Sequence, residues 1–223
     1  MKLLSIDTSG AACSVAVFAD GRLKSEEYRH YQLNHSAVLL GMIDSCLAKA
    51  GHKVSEMDAF AVSIGPGSFT GLRIGIGTVK AFAQATGKKI VGVSTLDLLA
   101  ENAPEEQGIV CPLIDARNNR VFTAVYEDGK KLTEEAVLSL EELGETLPAG
   151  KPVYFLGDGA LAYRSFLEES FSGCAIAPCN LCLQRASGAY SLALTAIEQG
   201  RLLTCEEAKL NYLVQSQAER NFG

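Results

Sequence analysis

The sequence predicts an α/β protein made of two similar halves, each a mixed β-sheet packed against helices. Each half opens with strands separated by Asp-containing turns, an alternation of strand and helix follows, and the order restarts after Pro104. We therefore expect a duplicated β-β-β-α-β-α arrangement, with one subdomain over residues 1–103 and a second over 104–223. The last helix could pack back on the first subdomain.

The first half combines hairpin signals with a strand–helix alternation. Asp7 to Gly10 and Asp20-Gly21 supply two turns between strands, and Gly51 ends the first helix. The predicted strands are residues 3–10, 13–20, 22–29, 58–65 and 89–94. The predicted helices are residues 36–50, 69–86 and 95–102, the last of which stops before Pro104.

The second half begins in the same way. Residues 111–132 predict a strand, a turn containing Asp115, a second strand, an Asp-Gly turn and a third strand. The other predicted elements are a helical segment at 141–147, a strand at 152–159 and helices at 161–170 and 186–199.

Composition excludes several classes of protein. The 223 residues include 20 Lys and Arg but 26 Asp and Glu, and no basic cluster occurs, so tight RNA binding by this chain alone is not expected. No run of about 18 apolar residues predicts a membrane span, and the start, MKLLSIDTSG, does not resemble a signal peptide. Seven scattered cysteines make a poor disulfide framework. These features predict a cytoplasmic protein.

Residues 63–77 contain five glycines directly before a helical pattern. Neither the P-loop pattern nor the dinucleotide-binding fingerprint is met. Gly65-Pro66-Gly67 is expected to turn the chain out of a strand, and Ser68 or Thr70 to cap the helix. Gly71 and Gly75 lie four residues apart on one helical face, where a second backbone could approach closely.

Helices 36–50 and 69–86 are apolar nearly all round. Such helices either pack against another subunit or are buried on both sides within one chain, and the sequence leaves both possibilities open. In an interface, Gly71 and Gly75 would allow close approach and Arg73 would lie at the rim. The buried area would come from Leu39, Met42, Ile43, Leu72, Ile76 and Val79.

The strand order, with an Asp-containing first hairpin in each half, resembles the superfamily of actin, hexokinase and Hsp70 (ASKHA). In that superfamily the two hairpins grip nucleotide phosphates. The resemblance makes Asp7, Thr8, Ser9 and Asp115 candidate nucleotide-binding residues, although the same residues are typical of turns capped by their own side chains. A small kinase or ATPase of this type is the alternative function.

The stretch SIGPGSFTGLRIGIGTVKAFA closely resembles the signature of the bacterial TsaB (YeaZ) family. Further matches are LLSIDTSGAACSVAV, GVSTLDLLA, LIDARNNRVFTAVY and the tail YLVQSQAE at residues 212–219. Ala37, Gly41, Arg120, Phe122 and Val214 depart from the family pattern. The resemblance implies a non-catalytic subunit that acts with TsaD and the ATPase TsaE in forming threonylcarbamoyladenosine, at the tRNA adenosine 3′ of the anticodon.

Partners and cofactors follow from the same resemblance. The chain is expected to pair with TsaD through the two apolar helices, to form a homodimer when TsaD is missing, and to meet tRNA only through the complex. No tightly bound cofactor is expected, and ATP or ADP at the interface of the complex is the one candidate.

The resemblance also bears on metal binding. TsaD holds a metal through a HxxxH pair, and this chain has Thr95 and Leu99 at the matching positions. A metalloprotease is the least supported function, since no HExxH occurs. Cys179 and Cys182 form a CxxC pair, which predicts reduced thiols or, with Cys174 and Cys205, a zinc site.

Overall fold

The computed structural model describes residues 1–30, 34–104 and 107–213. Contacts divide the chain into two compact units. Of the described residues, the first unit comprises those within Met1–Leu98 and Gln184–Asn211, and the second comprises those within Leu99–Leu183 together with Tyr212 and Leu213. The division after Leu98 precedes the predicted one at residue 103.

The first unit contains a five-stranded mixed sheet, within the described residues. Its strands are β1 (Lys2–Asp7), β2 (Ala12–Ala19), β3 (Arg22–His30), β4 (Ala59–Gly65) and β5 (Lys89–Ser94). The first helices of the chain are α1 (His35–Ala50), α2 (Phe69–Thr86) and α3 (Thr95–Ala100). The strand order is β3-β2-β1-β4-β5, in which β1, β2 and β3 pair antiparallel while β1, β4 and β5 pair parallel.

The second unit repeats this arrangement. Its elements are β6 (Ile109–Arg117), β7 (Arg120–Thr123), β8 (Tyr126–Glu127), β9 (Lys130–Lys131), β10 (Ala136–Ser139), α4 (Leu143–Thr146), β11 (Val153–Leu156), α5 (Asp158–Ala162), α6 (Arg164–Ser170) and β12 (Ala175–Ile176). The order β10-β7-β6-β11-β12 has the same senses of pairing as the first sheet. The predicted duplication is therefore confirmed at the level of topology.

Apolar cores lie on both faces of the first sheet. Leu4 and Ile6 of β1 point to one face, where they pack against α1 and α2. Leu3 points to the other face and packs against the alanines of α7 (Ala189–Glu198), which lies in the first unit. Because successive side chains of a strand alternate between faces, a strand covered on both sides is apolar throughout.

The second half differs from the sequence prediction in several places. The third strand of its sheet is β10, in the stretch 133–145, whereas β9 after the Asp-Gly turn pairs only with β8 among the described residues. Val137 and Leu138 of β10 lie opposite Phe122 and Val121 of β7, an apolar pairing that the two lysines of β9 could not make. The predicted helix 161–170 is divided at Tyr163 into α5 and α6.

A further difference concerns the turn between β6 and β7. Asp115 lies within β6, and the turn is made by Asn118 and Asn119, whose φ angles are 54° and 55°. Positive φ at two central residues is the condition for a type I′ hairpin turn, which asparagine tolerates. The tail motif predicted at 212–219 lies outside the described residues from Val214 onward.

Candidate functional site

The glycine run turns the chain from β4 into α2. Gly65 and Gly67 have φ angles of 116° and 154°, which disfavour any residue with a side chain. Ser68 is the N-cap of α2, and its hydroxyl oxygen accepts a hydrogen bond from the amide of Gly71 at 3.2 Å. The amide of Ser68 donates to the carbonyl oxygen of Ser9 at 2.7 Å, which ties the loop to the turn between β1 and β2.

The space beside Gly71 and Gly75 is filled by Thr8 of the same unit. A Cβ atom at Gly71 would collide with the carbonyl oxygen of Thr8, and one at Gly75 would collide with its hydroxyl oxygen. That hydroxyl donates to the carbonyl oxygen of Gly71 at 2.7 Å. The two glycines therefore admit the chain's own first hairpin, and the expectation that they admit a helix of a partner needs correction.

The apolar side chains predicted to form an interface lie in the core of the first unit. Each is at most 7% exposed, and they are Leu39, Met42, Ile43, Leu72, Ile76 and Val79. Their assignment to a partner-facing surface is wrong, because all six are buried within the unit. Five of them pack in the core beneath the sheet, and Leu72 lies beside Gly65. Arg73 is exposed, and its guanidinium lies 3.8 Å from the centre of the Phe69 ring.

The opposite sides of α1 and α2 are exposed and carry mostly small residues. Leu40 is 57% exposed, and no atom would meet a Cβ at Gly41 or Gly77 within 4 Å. We call this surface the outer face. It consists of Ala37, Leu40, Gly41, Asp44 and Ala48 on α1 and Thr70, Arg73, Gly77, Ala81 and Gln84 on α2. The helical spacing of each set places it on one side of its helix.

The carboxylate of Asp7 is enclosed at the end of β1. It accepts hydrogen bonds from the hydroxyl of Ser9 at 2.8 Å, from the amide of Ser9 at 3.3 Å and from the hydroxyl of Ser63. Burial raises the pKa of Asp7, and the hydrogen bonds from the two serines oppose that rise.

Asp7, Thr8 and Ser9 are each at most 1% exposed. Asp7 and Thr8 find their partners within the unit, and Ser9 is bound to Asp7. These three side chains therefore hold a turn together. The expectation that they bind a nucleotide needs correction, because none of them is accessible to a ligand. Gln184 closes the same turn over Gly10. The sequence around Gln184 gives no indication of this contact.

Asp115 is exposed at the corresponding position of the second unit. Its carboxylate accepts hydrogen bonds from the hydroxyl of Tyr163 at 2.9 Å and from the amide of Arg117 at 2.8 Å. Its own amide donates to the carboxylate of Asp158 at 3.1 Å, and burial raises the pKa of Asp158. Of the four predicted nucleotide-binding residues, Asp115 is the one that is accessible.

The environments of the cysteines and of Thr95 and Leu99 bear on metal binding. All seven cysteines are free thiols, and Thr95 and Leu99 are buried. Across residues 1–30, 34–104 and 107–213, no group of three or more His, Cys, Asp or Glu side chains is placed to hold a metal ion. None of the helices formed by these residues has the length and hydropathy needed to cross a membrane.

Comparison with known proteins identifies the family. The family model described as "TsaD: tRNA N6-adenosine threonylcarbamoyltransferase" matches residues 29–217. A protein of Escherichia coli (strain K12) named tRNA threonylcarbamoyladenosine biosynthesis protein TsaB is 33% identical over 225 residues, which cover 96% of this chain and 94% of the relative. The solved structure of YeaZ from Pseudomonas aeruginosa is also 33% identical, with a TM-score of 0.83 over 95% of this chain and 99% of that chain.

A more distant structure supports the fold alone. The ethanolamine utilization protein EutJ from Carboxydothermus hydrogenoformans is 14% identical, with a TM-score of 0.54 over 84% of this chain and 88% of that chain. The predicted ASKHA fold class is confirmed. The identity to TsaB and YeaZ proteins extends over nearly the whole of both chains, so the chain belongs to the TsaB (YeaZ) family, within the group that the TsaD family model describes.

Proposed function

We propose that the chain is a non-catalytic subunit in the formation of threonylcarbamoyladenosine in tRNA. In this role it acts with TsaD and TsaE in transferring the threonylcarbamoyl group to N6 of the adenosine 3′ of the anticodon, in tRNAs that read codons starting with A. The names of its relatives support the pathway. Thr95 and Leu99 support the division of labour, because neither side chain can replace an imidazole as a metal ligand.

The outer face of α1 and α2 is the surface that we propose for docking TsaD. The observation that carries this proposal is Leu40, a leucine 57% exposed among alanines and glycines. Small residues let the axes of two packed helices come close. Burial of an exposed leucine against a partner removes apolar surface from water, which favours binding. Asp44 and Arg73 would supply charged contacts at the edges.

The same surface would be exposed when TsaD is missing, so we propose that it then forms a homodimer. TsaE and ATP or ADP would join only at the assembled complex, and tRNA would be held by the complex as a whole. We place these events in the cytoplasm, since the seven free thiols suit a reducing compartment.

A kinase or ATPase acting through the first hairpin has weaker support. Such an enzyme would need Asp7, Thr8 or Ser9 to reach a phosphate group, and all three are buried. Asp115 alone would have to supply the contact.

Co-purification with TsaD tests the docking proposal. Leu40→Glu should abolish the one-to-one complex and the modification of tRNA by the three proteins together, because the glutamate would lose its water in the interface. Leu23→Glu is the matched control, since Leu23 is 47% exposed on β3 and lies outside the outer face. An undiminished complex with Leu40→Glu would refute docking through this face. ATP turnover by the isolated chain would favour the kinase instead.

A further inference from the structure

Two cysteines lie at the ends of a short turn in the second unit. Residues Cys179–Leu181 form a 3₁₀ turn, and the amide of Cys182 donates to the carbonyl oxygen of Cys179 at 3.3 Å. Cys179 is exposed, whereas Cys182 is buried, and both are free thiols. One thiol is therefore open to solvent-borne reagents while its neighbour in the turn is shielded.

The thiol of Cys179 is close enough to influence the thiol of Cys182. Burial raises the pKa of Cys182, and the nearby thiol of Cys179 contributes to the same rise. The thiol of Cys182 donates weakly to the carbonyl oxygen of Ala177 at 3.5 Å. Nothing covalent holds Cys182 in this position.

Turn geometry brings the two residues within the span of a disulfide. A 3₁₀ turn rises about 2 Å per residue, so Cα atoms three residues apart are separated by about 6 Å. Disulfides join residues whose Cα atoms are about 4.4–6.8 Å apart. The backbone therefore needs little movement, and a change of side-chain rotamer at Cys182 is the main requirement.

The backbone next to the turn is anchored by Asn102. Its side-chain amide donates to the carbonyl oxygens of Leu181 at 3.1 Å and Leu183 at 2.9 Å. Two hydrogen bonds from one amide hold the chain on both sides of Cys182, so the backbone of Cys182 is fixed at the end of the turn.

We propose that Cys179 and Cys182 are a thiol–disulfide exchange site that closes an internal disulfide on meeting a small-molecule disulfide such as oxidised glutathione. The thiolate of Cys179 attacks one sulfur of the reagent, forms a mixed disulfide and releases one glutathione thiolate. The thiolate of Cys182 then attacks the sulfur of Cys179 and releases the second glutathione thiolate. Two protons leave the cysteines, and two electrons pass to the reagent, which ends as two thiols.

This inference does not depend on the proposed role in tRNA modification. Exchange needs an attacking thiol that is accessible and a second thiol within reach, and the turn supplies both. The half-exposed Cys174 is the natural comparison, because its thiol is directed to the carbonyl oxygen of Leu167.

The test is intact-protein mass spectrometry of the full chain after incubation with oxidised glutathione. Wild type and Cys174→Ser should lose the mass of two hydrogen atoms, and dithiothreitol should reverse the loss. Cys182→Ser should instead keep one glutathione on Cys179, and Cys179→Ser should show neither change. Because Cys179 is exposed, its serine variant does not threaten folding.

Fragmentation of the tryptic peptide 165–185, which contains all three cysteines, locates the bond. A stable glutathione adduct on wild-type Cys179, without an internal bond, would overturn the proposal. So would a bond that Cys174→Ser abolishes.

Discussion

The hydroxyl of Thr8 donates a hydrogen bond to the carbonyl oxygen of Gly71 at 2.7 Å. This contact joins the first hairpin to the first turn of α2, across 63 positions of sequence. It explains why glycine, which weakens a helix interior, occurs twice at this end of α2. The backbone that approaches the helix belongs to the same unit.

Alanine at Gly71 should destabilise the protein, while alanine at Gly77 should stabilise it. At Gly71 the added methyl group meets a backbone oxygen, and overpacking of this kind costs about 1–3 kcal/mol of unfolding free energy. At Gly77 the methyl group points into open space, and the gain in helix propensity is about 1 kcal/mol. Urea denaturation of the two variants measures the difference. Equal stability of the two would contradict the described packing.

Glutamate at Met42 and at Leu40 should have different consequences. Met42 is 0% exposed, so its replacement buries an unpaired charge and should prevent folding. Leu40→Glu should leave the free energy of unfolding nearly unchanged and remove association with TsaD. Circular dichroism separates the two variants before any binding assay. A folded Met42→Glu protein that still binds TsaD would reverse our assignment of the two sides of α1.

The pKa of Asp7 predicts how stability depends on pH. Its pKa in the folded protein is raised above the ordinary value of 3.8, so the folded state holds the proton more tightly than the unfolded chain does. The corresponding stability is fully present below pH 3.8 and is lost as the pH rises through the folded pKa. Asp7→Asn removes this loss.

The unfolding free energy of Asp7→Asn minus that of wild type should therefore increase as the pH rises from 3.8 through the folded pKa of Asp7. Chemical denaturation at a series of pH values provides both numbers. A difference that stays constant would mean that Asp7 is ionised without penalty. Asp20→Asn serves as the control, because Asp20 is an exposed carboxylate of the same unit in a turn that asparagine also tolerates.

Ser68→Ala should cost about 1 kcal/mol of unfolding free energy, since the N-cap of α2 loses its side-chain acceptor. Thr70→Ala should cost little, because Thr70 lies within the helix and alanine has the higher helix propensity. Thermal denaturation compares the two variants. A larger effect at Thr70 would assign the cap differently.

Glycine and proline residues at the ends of some elements allow their first and last residues to be predicted. The structure places α2 at Phe69–Thr86 and β5 at Lys89–Ser94, the predicted bounds. Gly65-Pro66-Gly67 before α2 and Gly87 after it leave little freedom in where the helix begins and ends. The sequence does not reveal β10, because its four residues lie between glutamates and its pairing with β7 is decided by contacts distant in sequence.

The side of α1 and α2 that faces the sheet could not be predicted. Both helices are apolar nearly all round, so hydrophobic periodicity does not separate the inner from the outer side. The large side chains of both helices suit either a partner or the sheet, and the structure packs five of the six predicted ones against the sheet. The spacing of Gly71 and Gly75 predicts a close approach and does not say which backbone makes it.

The adjacent residues Leu39 and Leu40 have opposite environments, one in the core and the other in solvent. One residue inserted within α1 would rotate the part of the helix before it by about 100° relative to the part after it. If the insertion lay beyond Leu40, core positions on one side of it would turn towards solvent and solvent positions would turn towards the core. Variation in chain length among relatives should accordingly fall in the connecting loops, and the register of α1 should be preserved even where its surface residues differ.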